Sequence, residues 1–188
     1  MDWNQLEACV AECTQCRLCE RRKHTVLGEG NRQAKILLVG EGPGAQEDEE
    51  GRPFVGAAGQ LLDKMLAAID LSRKDVYIAN VVKCRPPGNR NPLPEEREAC
   101  LNYLRWQTKL IHPKMIVCLG TVAAQAIIGP EARISRVRGQ FIERKGYVIT
   151  GTYHPAALLR DDRLKVDAWH DLQAIARKAA EWEDTSEG

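Results

Sequence analysis

The feature that most constrains this chain is an apolar run that empties into a glycine-rich loop. Ile36-Leu-Leu-Val39 leads into Gly40-Glu41-Gly42-Pro-Gly44, and an acidic stretch then ends in Gly51-Arg-Pro-Phe54-Val-Gly56. A short unbroken apolar run stopped by glycine reads as a strand buried on both faces, as in a parallel sheet. In open α/β sheets, ligands bind just beyond the carboxyl ends of the strands, so the loop from Gly40 onward marks a candidate site. Gly40, Gly42 and Gly44 let backbone groups approach a ligand with no Cβ in the way. No Gly-Lys-Ser/Thr follows, which excludes a phosphate P-loop. Glu41, Glu47, Asp48, Glu49 and Glu50 make the loop acidic. Such a loop suits chemistry on a neutral group, or on one whose positive charge develops during reaction.

The same pattern recurs three times, over residues 76–82, 114–119 and 147–150. Helical patterns fall at residues 4–12, 94–110, 121–128 and 165–183, with Pro94 and Glu95-Glu96 opening the second and Thr121 as N-cap of the third. Strands alternating with helices predict an α/β fold. The expectation is a central, mostly parallel four-stranded sheet flanked by helices on both faces. The 188 residues, 44% of them hydrophobic, suffice for one core, and no repeat or linker divides them. One domain over 1–188 is expected, with 184–188 a disordered polar tail.

Seven cysteines bear on compartment and cofactor. The first residues lack a basic segment followed by an apolar one, and no apolar run is long enough to cross a bilayer. The expected setting is the reducing cytoplasm, where cysteines serve metals or clusters rather than disulfides. Cys118 lies within an apolar strand and Cys9 on a helix. That leaves Cys13, Cys16, Cys84 and Cys100, with Cys19 as a rival. Four thiolates can hold zinc or a [4Fe–4S] cluster. The fifteen residues between Cys84 and Cys100 are unlike the compact knuckles of structural zinc and lean toward a cluster. Net charge is +1 overall, yet residues 1–160 carry 23 basic and 18 acidic side chains. Basic groups gather at 17–23, 83–90 and 133–145, as nucleic-acid backbones require, although solvated faces look the same.

Four segments together carry a resemblance. They are Gly-Glu-Gly-Pro-Gly with Gly-Arg-Pro-Phe-Val-Gly, Ile-Ala-Asn80-Val-Val-Lys-Cys84-Arg-Pro-Pro, the widely spaced cysteines, and Tyr-His154-Pro-Ala-Ala-Leu-Leu-Arg. In this order the chain resembles the iron–sulfur uracil-DNA glycosylases, family 4 of their superfamily, from Cys13 to about Arg160. The resemblance implies a monofunctional enzyme that flips uracil out of DNA, hydrolyses its glycosidic bond and opens base-excision repair. It implies a [4Fe–4S] cluster on Cys13, Cys16, Cys84 and Cys100, with residues 1–30 as the cluster-binding segment. It also implies a monomer acting on uracil-containing DNA, with no membrane partner.

Site residues follow from the resemblance and can be weighed chemically. Asn80 offers one donor and one acceptor to uracil O4 and N3–H. Phe54 stacks on the base, and Gly40 and Gly42 line its pocket. His154 faces O2, where negative charge grows as the bond breaks. The superfamily's water-positioning Asp is absent, because Gly42 stands there; Glu41 is the expected replacement, with Glu47 and Asp48 as alternatives. The thymine-excluding Tyr is replaced by Gly44, and Glu47 is the candidate barrier. For DNA, Leu158 is the expected apolar wedge and Arg160 a phosphate contact, while Arg85, Asn89 and Arg90 form a stiff basic loop. Asn89 or Arg90 lies where crosslinking relatives carry His, so no covalent product is expected. The rival readings are a catalytically silent DNA-binding module of the same fold and a zinc-bound nucleotide-processing enzyme.

Overall fold

The computed structural model describes residues 1–184, and side chains through Trp182. The tail expected at 184–188 lies, from 185 onward, outside the described residues. In chain order the elements are α1 (Trp3–Ala11), β1 (Glu29–Gly30), β2 (Ile36–Gly40), α2 (Ala45–Glu50) and α3 (Ala57–Ala67). Next come β3 (Val76–Asn80), α4 (Pro94–Ile111), β4 (Met115–Leu119), α5 (Thr121–Ile127) and α6 (Ile134–Val137). The chain closes with β5 (Ile142–Arg144), β6 (Tyr147–Thr152), α7 (Pro155–Arg160) and α8 (Leu164–Asp184).

The sheet is mixed and six-stranded, in the order β1-β3-β2-β4-β6-β5. Strands β3, β2, β4 and β6 run parallel, while β1 and β5 pair antiparallel at the two edges. The expectation of four strands therefore falls short by two. Both additions are edge strands of two and three residues, too short and too exposed to show an apolar run. Thr121 also differs: Gly120, at φ +91°, caps α5, and the Thr121 hydroxyl instead accepts the Ile134 N–H at 3.1 Å.

Strand periodicity decides which helix lies where. Leu37, Val39, Tyr77, Ala79, Ile116, Cys118 and Ile149 point to one face, where they meet Leu6 and Val10 of α1 and Tyr103, Leu104 and Ile111 of α4. Their neighbours Ile36, Leu38, Val76, Ile78, Met115, Val117 and Val148 point to the other, against Leu62 and Leu66 of α3 and Ile175 of α8. Successive strand side chains alternate faces, so a run apolar at every position has to be covered twice. From β2 the chain passes to β3 on one side, and β4 then pairs with β2 on its other side. Such a reversal opens a crevice at the carboxyl ends of the strands.

Candidate active site and thiolate cavity

A cleft of about 660 Å³ fills that crevice. It is lined by Glu41 after β2, Asn80 at the end of β3, Leu119 at the end of β4 and Gly120 after it, and Tyr153 and His154 after β6. Phe54, Glu47, Asn89, Arg90 and Arg160 reach it from the loops and α7. Residues scattered over 120 positions of sequence meet here because the parallel strands end at one level.

Asn80 is 1% exposed, and neither its Oδ1 nor its Nδ2 has a hydrogen-bond partner among the described residues. A buried primary amide left unpaired costs about 1–3 kcal/mol, so an amide held this way is set for a ligand. Gly40 allows the arrangement. A Cβ there would sit 2.5 Å from Asn80 Oδ1 and 2.6 Å from Phe54 Cζ, so only glycine lets both side chains close over β2.

Phe54 holds a left-handed backbone at φ +53°, unusual for a bulky residue. Its surroundings fix it there. Arg73 donates to the carbonyls of Pro53, at 2.9 Å, and of Phe54. Glu47 Oε1 accepts the next two backbone N–H groups, Val55 and Gly56, at 3.0 and 3.1 Å. The Phe54 carbonyl lies over Gly59 of α3, where any Cβ would overlap it. The Phe54 ring then stacks on His154, with centroids 5.4 Å apart and planes 26° from parallel.

The structure settles the tautomer of His154. Its Nδ1 accepts the Ala156 N–H at 3.0 Å, which leaves the ring proton of the neutral form on Nε2. Burial, and then the Arg160 guanidinium, hold its pKa down at about 4. The ring is therefore a neutral donor near pH 7. Glu41 is pushed the other way, above the usual carboxylate range, by burial; Arg160 and Arg97 offset part of that. No hydrogen bond occupies its carboxylate among the described residues.

Several expected residues stand in other roles. Glu47 is fully engaged: besides Val55 and Gly56, its Oε2 accepts the Gly44 N–H at 3.1 Å. It caps the starts of α2 and α3 and braces the Phe54 loop, so its carboxylate is not a free catalytic base. Asp48 is buried and accepts the Lys23 N–H at 2.8 Å, tying α2 to the segment after the first cysteines. Leu158 is 2% exposed and packs with Met65, Ala168 and Leu172. In this structure Leu158 faces inward, and its neighbour Leu159, 51% exposed, is the one that projects. Arg90 makes a forked pair with the buried Glu96 carboxylate at 2.8 and 2.7 Å, so it braces its loop instead of waiting for a phosphate. Arg85 Nε donates to Asn89 Oδ1 at 2.8 Å. Arg160 remains exposed at the cleft mouth.

A second, smaller cavity is lined by Cys13, Cys16, Cys19, Cys84 and Cys100 with Arg22, Lys83 and Tyr103. All seven cysteines are free thiols. Donors point at the sulfurs: Arg22 to Cys84 Sγ at 3.4 Å, and the Lys83 backbone N–H to Cys100 Sγ at 3.2 Å. Burial pushes Cys100 up to about 11 and raises Cys84 and Cys16. Cys13 lies near enough to Cys16, Cys84 and Cys100 to act on each electrostatically, and Cys19 acts on Cys16. Among the described residues no group of His, Cys, Asp or Glu is gathered tightly enough for a single metal ion.

Two features were not read from the sequence. Lys83 is fully buried between Asn80 and the thiols, and its one signal was a charge inside an apolar run. Leu159 was indistinguishable from Leu158, because the packing of α8 decides which one faces inward.

The uracil-DNA glycosylase superfamily model matches residues 27–173. A type-4 uracil-DNA glycosylase of Archaeoglobus fulgidus is 48% identical over 181 residues, which is 90% of this chain and 91% of that protein. One from Thermotoga maritima is 48% identical over 154 residues, covering 81% and 80%. The solved structure of Pedobacter heparinus SMUG2 shares the fold, with a TM-score of 0.52 at 17% identity over 79% of this chain and 76% of that one.

Proposed function

The chain belongs to the uracil-DNA glycosylase superfamily, and from that premise we infer that it excises uracil from DNA as its type-4 relatives are named for doing. It is a hydrolase of the N-glycosidic bond that leaves an abasic site. The observation that carries this reading is the unpaired, buried amide of Asn80, facing a cleft closed by Phe54 and His154.

A base inside a duplex is out of reach, so the nucleotide has to flip into the cleft. There Asn80 pairs with O4 and N3–H, and Phe54 presents an aromatic ring to the base, a contact worth about 1–3 kcal/mol. As the bond breaks, uracil becomes an anion and the sugar a cation. The Nε2–H of His154 donates to O2 as that charge appears. Glu41, half-buried and with no hydrogen bond to its carboxylate among the described residues, faces the sugar and steadies its positive charge or positions the water. Glu47 keeps Phe54 and the loop in place for these contacts. Arg160 takes a flanking phosphate, and Leu159 fills the gap left in the duplex.

Cys13, Cys16, Cys84 and Cys100 are the proposed ligands of a [4Fe–4S] cluster, on the support of their shared cavity and the type-4 likeness. Bound there, the cluster is a structural cross-link between residues 1–30, the loop after β3, and α4. Action as a monomer is part of this proposal. No helix among the described residues is long and apolar enough to cross a membrane. Free thiols in quantity fit a reducing cytoplasm.

The test is uracil release from a defined oligonucleotide by the wild type and by Asn80→Asp. The carboxylate repels uracil O4 and leaves a buried group unpaired, so excision should fall by about tenfold or more. Undiminished release by Asn80→Asp would remove Asn80 from base recognition. No release by the iron-loaded wild type would favour the catalytically silent module.

A further inference from the structure

Lys83 is among the largest side chains shut away from solvent, at 1% exposure, yet it has no carboxylate partner among the described residues. Its Nζ donates to the backbone carbonyl of Asn80 at 2.8 Å and to Gln107 Oε1 at 2.6 Å. Gln107 is fully buried as well, and its Nε2 donates to the Leu27 carbonyl at 2.8 Å. At its other end, the Lys83 backbone N–H reaches Cys100 Sγ at 3.2 Å, and Cys84 is the next residue.

This placement asks for an explanation. An apolar side chain of similar size would fill the space without the cost of desolvating an ammonium. The chain leaves the sheet just after Asn80: the next two N–H groups, of Val81 and Val82, bond to the carbonyls of Gly40 and Glu41 at 2.9 and 3.2 Å. The Asn80 carbonyl is then satisfied by the side chain three residues on. The carbonyl and the N–H of the Asn80–Val81 peptide are both tied, which holds the strand end beside the Asn80 Cα and keeps its amide aimed into the cleft although nothing holds the amide itself.

We propose that Lys83 is a positioning residue that fixes the base-reading amide of Asn80 and joins it mechanically to the thiolate cavity. This rests on the reading of Asn80 as the uracil contact. Through one residue, the side chain sets the strand end in the cleft and the backbone N–H holds the sulfur of Cys100. Gln107 anchors the ammonium from α4, the same helix that supplies Cys100. The pocket that reads the base and the segment that holds the cluster are thus one braced unit.

The experiment is a double-mutant cycle on the iron-loaded protein, using Lys83→Met and Asn80→Ala. The readout is preference in binding, measured as affinity for a duplex carrying an uncleavable 2′-fluorinated deoxyuridine relative to the same duplex carrying thymidine. Iron content is measured alongside. Lys83→Met should lose about 10- to 100-fold of the preference, the scale of a lost orienting contact behind a ligand, with iron retained because the backbone N–H to Cys100 survives. Added to Asn80→Ala it should cost nothing more. An equal further loss in the Asn80→Ala background would show that Lys83 only supports the fold, and the proposal would fall. Should Lys83→Met not fold, Gln107→Leu takes its place in the cycle; a smaller loss confined to the Asn80 background supports the proposal, and no loss overturns it. If Asn80→Ala loses the preference while Lys83→Met keeps it, the base-reading assignment stands and Lys83 alone is wrong. If Asn80→Ala keeps the preference, both fall together.

Discussion

At the scale of single residues, chemistry and binding separate at His154. The Nε2–H faces a uracil oxygen that is neutral before reaction and anionic during it. An interaction that strengthens only in the transition state raises rate without tightening ground-state binding. His154→Ala should therefore cut single-turnover excision by about 10²–10³-fold, the scale of one lost oxyanion donor. Affinity for uracil-containing DNA should change far less, since phosphate contacts dominate it. A parallel loss of affinity would make His154 a binding contact instead. The pH dependence has a sign as well. The folded pKa of about 4 lies below the ordinary value near 6.5, so the neutral ring is the stable form in the fold. Stability from this group is whole above about pH 6.5 and is lost as pH falls toward about 4. Single-turnover rate should show no step at the ordinary histidine value and should fall only at more acid pH, where Glu41, raised by burial, also takes up a proton. A clear inflection near pH 6.5 that disappears in His154→Ala would contradict the neutral tautomer.

At the scale of elements, two short helices carry roles that side-chain type alone does not reveal. Glu47 accepts three backbone N–H groups at the starts of α2 and α3, so Glu47→Ala removes the caps and frees Phe54 from its left-handed backbone. The expected outcome is a stability loss of about 1–3 kcal/mol in urea unfolding, with weaker uracil binding. Normal stability with lost excision would instead restore a direct catalytic role. On α7, Leu158 and Leu159 should part company. Leu158→Ala empties a buried site and should cost about 2–5 kcal/mol. Leu159→Ala should leave stability within about 0.5 kcal/mol and slow excision from duplex more than from single strands. Equal slowing on both substrates would remove Leu159 as the wedge.

At the scale of the whole molecule, the proposed cluster joins remote segments: Cys13 and Cys16 after α1, Cys84 after β3, and Cys100 on α4. Replacing any of these four by Ala should lose iron and lower the thermal midpoint, because a cross-link between distant parts of the chain is removed. Cys19→Ala should keep its iron. Iron analysis and visible absorption check both statements, and an iron-free Cys19→Ala beside an iron-bound Cys16→Ala would reverse the ligand assignment. Zinc in place of iron in the purified wild type would refute the cluster.

The sequence by itself determined the parallel core of the sheet, because four apolar runs at strand length can only be buried on both faces. It also determined the place of the cleft, since glycine, asparagine and histidine stand where those runs stop. The edge strands β1 and β5 escaped notice, being too short to carry a periodic signal. Tertiary structure alone decided which polar groups are free. Glu41 and Glu47 look alike in one acidic loop, yet the folded backbone saturates Glu47 and leaves Glu41 open. Arg90 and Arg160 are equal as cations until Glu96 claims the first. Leu158 and Leu159 differ only by the helix packed against one of them. Lys83 read as part of a basic stretch until the fold buried it between Asn80 and the cysteines. Residue type and spacing say what chemistry a chain can offer. Whether a donor or acceptor is spent on its own backbone or kept for a ligand depends on neighbours that are distant in sequence, and only packing brings them together.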